Sequence, residues 1–236
     1  KYSVEIAGKL TGFEVGKLAI LADGAAVVSC GGTDILVTAM GSKHEVDRDF
    51  FPLVVDVEER MYAAGKIPGG FFRREGRPSE KSILNARLID RPLRPTFPEG
   101  MRIEVQVIAT ILSVDQMNPP DVMAINGASA ALSISDIPFN GPVGAVRVGL
   151  MPDGFTLNPT LQELENSRLD LVVAGVLNQE TNEIEVIMVE AGAMQVPEDE
   201  MVDALEFSKQ GIREMIKVQQ QMMREIGKEK RSVNLK

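Results

Sequence analysis

The residues best suited to chemistry in this 236-residue chain form one run, Phe71–Glu80, with the sequence FFRREGRPSE. Two adjacent phenylalanines lead directly into closely spaced arginines. A phenyl ring offers a flat face on which a base can stack, and a guanidinium donates a fork of N–H groups that matches a phosphate. This composition is typical of a loop that binds single-stranded nucleic acid. The candidate binding residues are Phe71, Phe72, Arg73, Arg74 and Arg77.

The charge distribution supports this interpretation. Residues 60–102 hold ten Lys or Arg and four Asp or Glu, a local charge of +6 in a chain whose net charge is −9. A basic segment in an acidic chain attracts an anionic partner to one place. The alternative is that the arginines pair with acids elsewhere and only stabilise the fold. That alternative is favoured for the secondary nucleic-acid or phosphate candidates, Arg87, Arg91 and Arg94.

Residues for other kinds of chemistry are scarce. Cys30 is the only cysteine and His44 the only histidine, so disulfides, cysteine zinc sites and His-dependent triads lack partners. No phosphate loop of the GxxxxGK[ST] or GxGxxG type is present. Asp170, on a predicted strand without a nearby lysine, is a weak candidate for catalysis. We therefore predict no catalytic residue and no metal site in this chain.

The basic run lies between a strand-rich segment and a helix. Alternating apolar residues and glycine turns from residue 4 onward predict an antiparallel meander that includes a strand over Phe51–Val57. After the run, Ser79 is expected to cap a helix that Pro92 stops near Asp90. The run itself is therefore expected to be a loop.

Strands and helices alternate through the rest of the chain. Ile103–Val114 is rich in Val and Ile, which is typical of a buried central strand. Asn118 is expected to cap the next helix, with Pro119 at its first position. Gly127–Ala131 gives that helix a thin face that can lie close against a sheet. Two hairpins follow, and then a long amphipathic helix that begins at Pro197.

This order of elements predicts an α+β fold: a mixed sheet with helices packed largely on one face, plus a long C-terminal helix. We expect a core domain over residues 1–196 and, over 197–236, a helix that closes the core and leads into a further helical domain. No signal peptide is recognisable, and no apolar run approaches the ~18 residues of a membrane span. The first residue is not Met, so we expect a piece of a longer, cytoplasmic protein.

Four stretches closely resemble the first ribonuclease-PH-like core domain of bacterial-type polynucleotide phosphorylases. The most specific is Gly65–Gly100, which contains both FFRREGRPSE and RLIDRPLRP. The others are Glu104–Asp115, Ile125–Gly149 and Leu169–Gly175. The resemblance covers essentially the whole chain and implies the ribonuclease-PH-like (ribosomal protein S5 domain 2-like) fold.

The resemblance also implies an activity for a longer protein. Polynucleotide phosphorylases shorten RNA from its 3′ end with inorganic phosphate as co-substrate and Mg²⁺ as cofactor, and they release nucleoside diphosphates. They are trimers whose six core domains form a ring around a channel, followed in each chain by a helical linker and KH and S1 domains. We therefore expect single-stranded RNA, further copies of the chain and RNA degradosome proteins as partners.

The same resemblance implies that this core has lost its own active site. The family's catalytic second core holds phosphate with serines, where this chain has Pro-Pro-Asp at residues 119–121. That core also has an Asp, a second Asp and a Lys, where this chain has Leu164, Asp170 and Val172. The arginine-rich loop would instead reach the channel and a neighbouring active site.

Three hypotheses remain open from the sequence. The first is a non-catalytic core that supplies RNA binding and ring contacts to a phosphate-dependent 3′→5′ exoribonuclease. The second is a stand-alone module that binds single-stranded RNA or assists assembly without enzyme activity. The third is a core that keeps some catalysis through Asp170, against which the missing serines and lysine argue. A second core encoded in the native gene would distinguish the first hypothesis from the second.

Overall fold

The computed structural model describes residues 1–233, and the chain folds into two β-sheets with helices between and beside them. The strands are β1 Tyr2–Ile6, β2 Lys9–Glu14, β3 Gly24–Cys30, β4 Thr33–Glu45, β5 Leu53–Glu59, β6 Ile103–Ser113, β7 Val143–Met151, β8 Gly154–Leu157, β9 Leu169–Leu177 and β10 Ile184–Ala193. The helices are α1 Glu80–Leu93, α2 Pro120–Ile134, α3 Leu161–Leu164 and α4 Glu198–Ile226, with short 3₁₀ helices η1 Met61–Ala64 and η2 Arg94–Thr96. Within this described range, no helix is both long and apolar enough to cross a membrane.

The strands divide between two sheets. The first has the order β1-β2-β3-β4-β6-β5 and the second has the order β10-β9-β7-β8. All paired neighbours are antiparallel except β5 and β6, which are parallel. The predicted α+β class, with a mixed sheet and a long C-terminal helix, is therefore confirmed. Helix α2 lies between the sheets and contacts β3 and β4 of the first and β7 of the second.

The predicted meander is correct for β1 to β4 and wrong for the strand that follows them. Strand β5 lies at the sheet edge, parallel to β6, with Leu53 opposite Val105 and Glu59 opposite Ile111. The neighbour of β4 is β6, which is central in the sheet, is buried on one face and pairs with β4 along most of its length. A parallel pair needs a crossover connection, and α1 supplies it between β5 and β6.

Helix α1 begins as predicted and ends later than predicted. The Ser79 hydroxyl accepts a hydrogen bond from the N–H of Ser82 at 3.0 Å, which confirms the cap. The prediction that Pro92 stops the helix near Asp90 is wrong, because the helix continues to Leu93 with Pro92 inside it. Pro92 and Leu93 are both buried, so packing offsets the hydrogen bond that proline cannot donate.

The start of α2 also differs from the prediction. The helix begins at Pro120 with Pro119 as its cap residue, and Asn118 does not cap it. The Asn118 side-chain amide donates to Asp115 Oδ2 at 2.6 Å, and Asp115 also accepts from three backbone N–H groups. Burial would raise the pKa of Asp115, but these N–H groups hold that pKa well below its ordinary value. The Asn118 side chain therefore binds the Asp115 carboxylate and is not available to cap α2.

The thin face of α2 is confirmed, and it sets how closely the helix approaches the first sheet. A Cβ atom added at Gly127 would lie 2.7 Å from Val37 Cγ2 and 2.8 Å from Val28 Cγ2. The contact is tighter still at the start of β3, where a Cβ at Gly24 would lie 2.0 Å from the carbonyl oxygen of Ala131. The helix and the sheet thus pack backbone against backbone.

Gly24→Ala is therefore expected to lower the free energy of unfolding by about 3 kcal/mol, because the methyl group meets helix backbone that cannot rotate away. Urea denaturation measures the change. Gly12→Ala is the matched control, since Gly12 is also in the first sheet and its added Cβ would lie 4.0 Å from the nearest atoms. Equal midpoints for the two variants would contradict this packing.

Helix α4 follows Pro197 as predicted, and Met215 and Met222 of its apolar stripe are buried. It packs closely on β7, where a Cβ at Gly144 would lie 2.6 Å from the carbonyl oxygen of Ile212. The long helix therefore belongs to the packed core of the described residues.

The basic tail after α4 turns back onto the end of α2. Lys230 Nζ donates to three carbonyl groups there, at 2.7–3.1 Å, and Arg231 pairs with Asp136 and Asp23. Residues 234–236, the end of the predicted 197–236 segment, lie outside the described residues. The domain boundary between residues 196 and 197 stays a prediction.

Candidate nucleic-acid interface and candidate active site

The predicted binding residues lie on one exposed loop, residues 66–78, which joins η1 to α1 and is called the arginine loop below. The side chains of Phe71 and Phe72 are 93% and 77% exposed. Their rings meet edge to face, with centroids 5.3 Å apart. Adjacent exposed phenyl rings of this kind are typical of a binding surface.

The three arginines of the loop are exposed beside these rings. Arg73 has a left-handed backbone, with φ at 51°, and its Nη1 donates to the carbonyl of Pro68 at 3.4 Å within the same loop. Among residues 1–233, no acidic side chain forms an ion pair with Arg73, Arg74 or Arg77. The fold-stabilising alternative is therefore not favoured for these three residues.

Two of the secondary candidates form ion pairs and hydrogen bonds that join parts of the fold. Arg91 pairs with Glu190 and donates to the carbonyl of Val189 at 3.0 Å, which joins α1 to β10. Arg94 donates to both carboxylate oxygens of Asp90, at 3.0 and 2.7 Å, and to two carbonyl groups in and next to β5. These contacts favour the ion-pair role that the sequence suggested for Arg91 and Arg94.

Arg87 differs from the other two. It is exposed on α1 and lines an open groove of about 420 Å³ between α1 and β5, beside Asp56 and Asp90. No ion pair engages it within the described part of the chain. Arg87 therefore remains a predicted secondary candidate for binding phosphate.

The start of α2 is the place that the family resemblance led us to compare with a phosphate site. Prolines at residues 119 and 120 have no N–H to donate, and Asp121 puts a carboxylate in the first turn. Arg147, on β7, donates two hydrogen bonds to Asp121 at 3.2 and 2.9 Å. A guanidinium and a carboxylate thus occupy the end of the helix that would otherwise attract an anion.

Asp170 meets the same arginine from the neighbouring strand. Its Oδ1 lies 2.8 Å from Nε of Arg147, and the exposed fractions of the side chains of Arg147, Asp121 and Asp170 are 11%, 15% and 48%. Burial would lower the pKa of Arg147, but the two carboxylates raise it above its ordinary value. The three side chains form an ion-pair cluster, called the Arg147 cluster below.

Sequence reasoning missed Arg147. It is the one charged residue in an apolar strand, VGAVRVGLM, and an isolated cation in such a run was the available signal. Pairing of β7 with β9, in which Gly149 lies opposite Asp170, brings the arginine to the carboxylate.

A small cavity of about 40 Å³ adjoins the Arg147 cluster, lined in part by Asn118, Asn126 and Asn158. It has room for water molecules and is far below the roughly 300 Å³ of a typical ligand pocket. Within residues 1–233, no group of three or more His, Cys, Asp or Glu side chains is arranged to hold a metal ion.

Two family models match the chain. The 3′ exoribonuclease family, domain 1, matches residues 10–138, which include most of the first sheet and helices α1 and α2. The 3′ exoribonuclease family, domain 2, matches residues 141–211, which include the second sheet and the first half of α4.

Curated relatives with the name polyribonucleotide nucleotidyltransferase match nearly the whole chain. That of Heliobacterium modesticaldum is 52% identical over 236 residues, which are 100% of this chain and 32% of the relative. That of Thermus thermophilus is 52% identical over 230 residues, 98% of this chain and 31% of the relative. The chain spans about a third of the length of these relatives.

A solved structure shows the same fold. A chain described as "archaeoglobus fulgidus exosome with RNA bound to the active site" matches with a TM-score of 0.65 and 19% sequence identity. The match covers 86% of this chain and 87% of that one. The ribonuclease-PH-like fold predicted from the sequence is thereby confirmed.

Proposed function

The chain belongs to the 3′ exoribonuclease family, and on that premise we propose that it is the first core domain of a polynucleotide phosphorylase. In this role it binds single-stranded RNA through the arginine loop and contributes contacts to a ring of core domains. The longer protein would shorten RNA from its 3′ end with inorganic phosphate and release nucleoside diphosphates. The names of the curated relatives and their greater length support this assignment.

One observation carries the RNA-binding part of the proposal. The arginine loop places two exposed phenyl rings directly beside three arginines with which no acid forms an ion pair within the described residues. Aromatic rings stack with bases of any sequence, and guanidinium groups bind the phosphates between them. The loop is therefore suited to a single strand whose bases are unstacked, and binding would be largely independent of sequence.

The Arg147 cluster supports the proposal that this core performs no chemistry itself. Asp121 and Asp170 already bind the guanidinium of Arg147, so the residues at this place do not suit Mg²⁺. A divalent ion here would have to share both carboxylates with a fixed positive charge. We assign Mg²⁺ and inorganic phosphate to another part of the longer protein.

The partners follow from the same assignment. The longer protein would assemble as a trimer with six core domains in a ring, would act in the cytoplasm and would meet RNA degradosome proteins there. The exosome chain with the same fold is described with RNA bound to the active site, which supports RNA as the ligand of this family of folds.

Replacing both loop phenylalanines tests the proposal. Phe71→Ala with Phe72→Ala is expected to weaken binding of a short single-stranded RNA about tenfold, because base stacking on an aromatic ring contributes roughly 1–3 kcal/mol. Fluorescence anisotropy of a labelled RNA measures the change.

The matched control for this pair is Phe50→Ala. Phe50 is also exposed, at 61%, and lies 5.7 Å from the guanidinium of Arg48, but it is outside the loop. Its replacement should leave the affinity unchanged. If the loop variant and the control bind RNA as tightly as the unaltered chain, the loop is not the RNA-binding surface.

A further inference from the structure

The arginine loop contains one acidic residue, and that residue connects the loop to the body of the protein. Glu75 Oε1 accepts a hydrogen bond from the backbone N–H of Met61 at 2.9 Å. Within residues 1–233, no other side chain of the arginine loop forms a hydrogen bond or ion pair with a residue outside the loop. The middle of the loop therefore depends on this one contact.

The N–H that Glu75 binds lies on the surface and has no acceptor within its own helix. Met61 is the first residue of η1, and the first N–H groups of a helix have no partner inside it. The preceding residue, Arg60, provides no side-chain cap, and the first turn contains no acid. Glu75 acts as the cap from 14 residues further along the chain.

Through η1 the contact reaches the first sheet. The carbonyl of Ala63 in η1 accepts from the N–H of Val114 at 3.2 Å, directly after the end of β6. Strand β6 is paired on both sides, with β4 and β5. Two successive hydrogen bonds thus connect the arginine loop to the residue that follows a strand paired on both sides.

The negative charge of Glu75 is unfavourable in a loop that binds phosphate, so its presence there needs another explanation. A carboxylate between Arg74 and Arg77 repels an RNA phosphate, so a loop that supplied only positive charge would bind better without it. The carboxylate pairs with neither arginine and binds the backbone of η1 instead. A loop that is already ordered loses less conformational entropy when it binds RNA. The resulting gain in binding free energy can exceed the cost of repulsion between Glu75 and phosphate.

We propose that Glu75 is a positioning residue that holds the arginine loop in its RNA-binding geometry before RNA arrives. The proposal rests on the proposed function, because RNA is the ligand for which the loop would be ordered. The connection itself can be measured without RNA, so the two proposals can fail separately.

Two substitutions at this position separate positioning from charge. Glu75→Gln removes the negative charge but keeps an oxygen that can accept from Met61, whereas Glu75→Ala removes both. If Glu75 positions the loop, Glu75→Ala binds single-stranded RNA about fivefold more weakly than Glu75→Gln, the ratio expected for a lost cap of about 1 kcal/mol. If charge alone matters, both variants bind equally and more tightly than the unaltered chain, and the proposal is overturned.

Chymotrypsin provides the measurement without RNA, since it cleaves after Phe71 and Phe72, at some distance from residue 75. Cleavage is expected to be about fivefold faster in Glu75→Ala than in Glu75→Gln, because the loop opens more often without the acceptor. Equal cleavage rates for the two variants would overturn the positioning role.

The variant Arg73→Ala with Arg74→Ala, assayed in parallel, identifies which proposal fails. If it binds RNA as tightly as the unaltered chain, RNA binding by the loop is wrong, and the cleavage rates still decide whether Glu75 orders the loop. If it binds weakly while the two Glu75 variants bind alike, the RNA-binding loop stands and the positioning role is wrong.

Discussion

Arg147→Met is expected to lower the free energy of unfolding by about 3 kcal/mol, because it leaves Asp121 partly buried without its cation. Methionine matches the apolar stem of arginine as far as about Nε, so the change removes mainly the guanidinium with its charge and donors. Asp170, which is half exposed, can recover hydration and should contribute less to the loss. Urea denaturation at neutral pH measures the difference, with the slope of the transition as a check on two-state unfolding.

Arg91→Met is the matched control for this prediction. Arg91 also forms an ion pair between two elements, but its side chain and that of Glu190 are both about half exposed. Exposed pairs contribute about 0–1 kcal/mol, so this variant should unfold near the midpoint of the unaltered chain. If the two variants lose equal free energy of unfolding, the Arg147 cluster stabilises the fold no more than a surface ion pair does.

Arg73→Ala with Arg74→Ala is expected to weaken binding of single-stranded RNA about thirtyfold or more at low salt. Two charge-assisted hydrogen bonds to phosphate together contribute about 2–3 kcal/mol at an exposed site. Fewer counterions are also released on binding, so the slope of log K against log salt should fall by about 1.4. Anisotropy titrations over a series of salt concentrations measure both quantities.

Arg91→Ala with Arg94→Ala removes the same charge from the same basic segment and serves as the control. Both arginines are engaged by carboxylates and carbonyl groups, so the salt slope should stay close to that of the unaltered chain. A similar fall in slope for both double variants would show that the overall charge of residues 60–102 attracts RNA without specific contacts from the loop.

Local patterns were sufficient to predict most individual elements of the fold. The alternation of apolar residues located the hairpins, the periodicity after Pro197 located α4, and the small residues around Gly127 predicted its close packing. Pairing between distant strands has no comparable local signal. Strand β5 was recognised as a strand, but its place at the sheet edge depends on which partner β4 finds.

The errors at helix ends have a common physical origin in tertiary contacts. Burial of Leu93 continues α1 past a proline, and Asp115 takes the side chain of Asn118 away from α2. The packing of Leu93 depends on residues distant in sequence. Asp115 lies only three residues before Asn118, but its own position depends on hydrogen bonds from Gly32 and Thr33, which are distant in sequence.

The arginine loop and the Arg147 cluster also differed in how far the sequence could predict them. The arginine loop is continuous in sequence, so its composition and charge were visible directly. The Arg147 cluster joins residues from α2, β7 and β9, and only the folded sheet brings Arg147 to Asp121 and Asp170.

The central claim is that this core binds RNA but does not cleave it, and a phosphorolysis assay on the 236-residue chain tests it most directly. Single-stranded RNA, inorganic phosphate and Mg²⁺ are supplied, release of nucleoside diphosphates is followed, and RNA binding is measured in the same samples. The full-length Thermus thermophilus relative serves as the positive control. We predict binding without release of nucleoside diphosphates. Steady release by the unaltered chain, lost in Asp170→Ala, would contradict the claim and place a working active site at the Arg147 cluster.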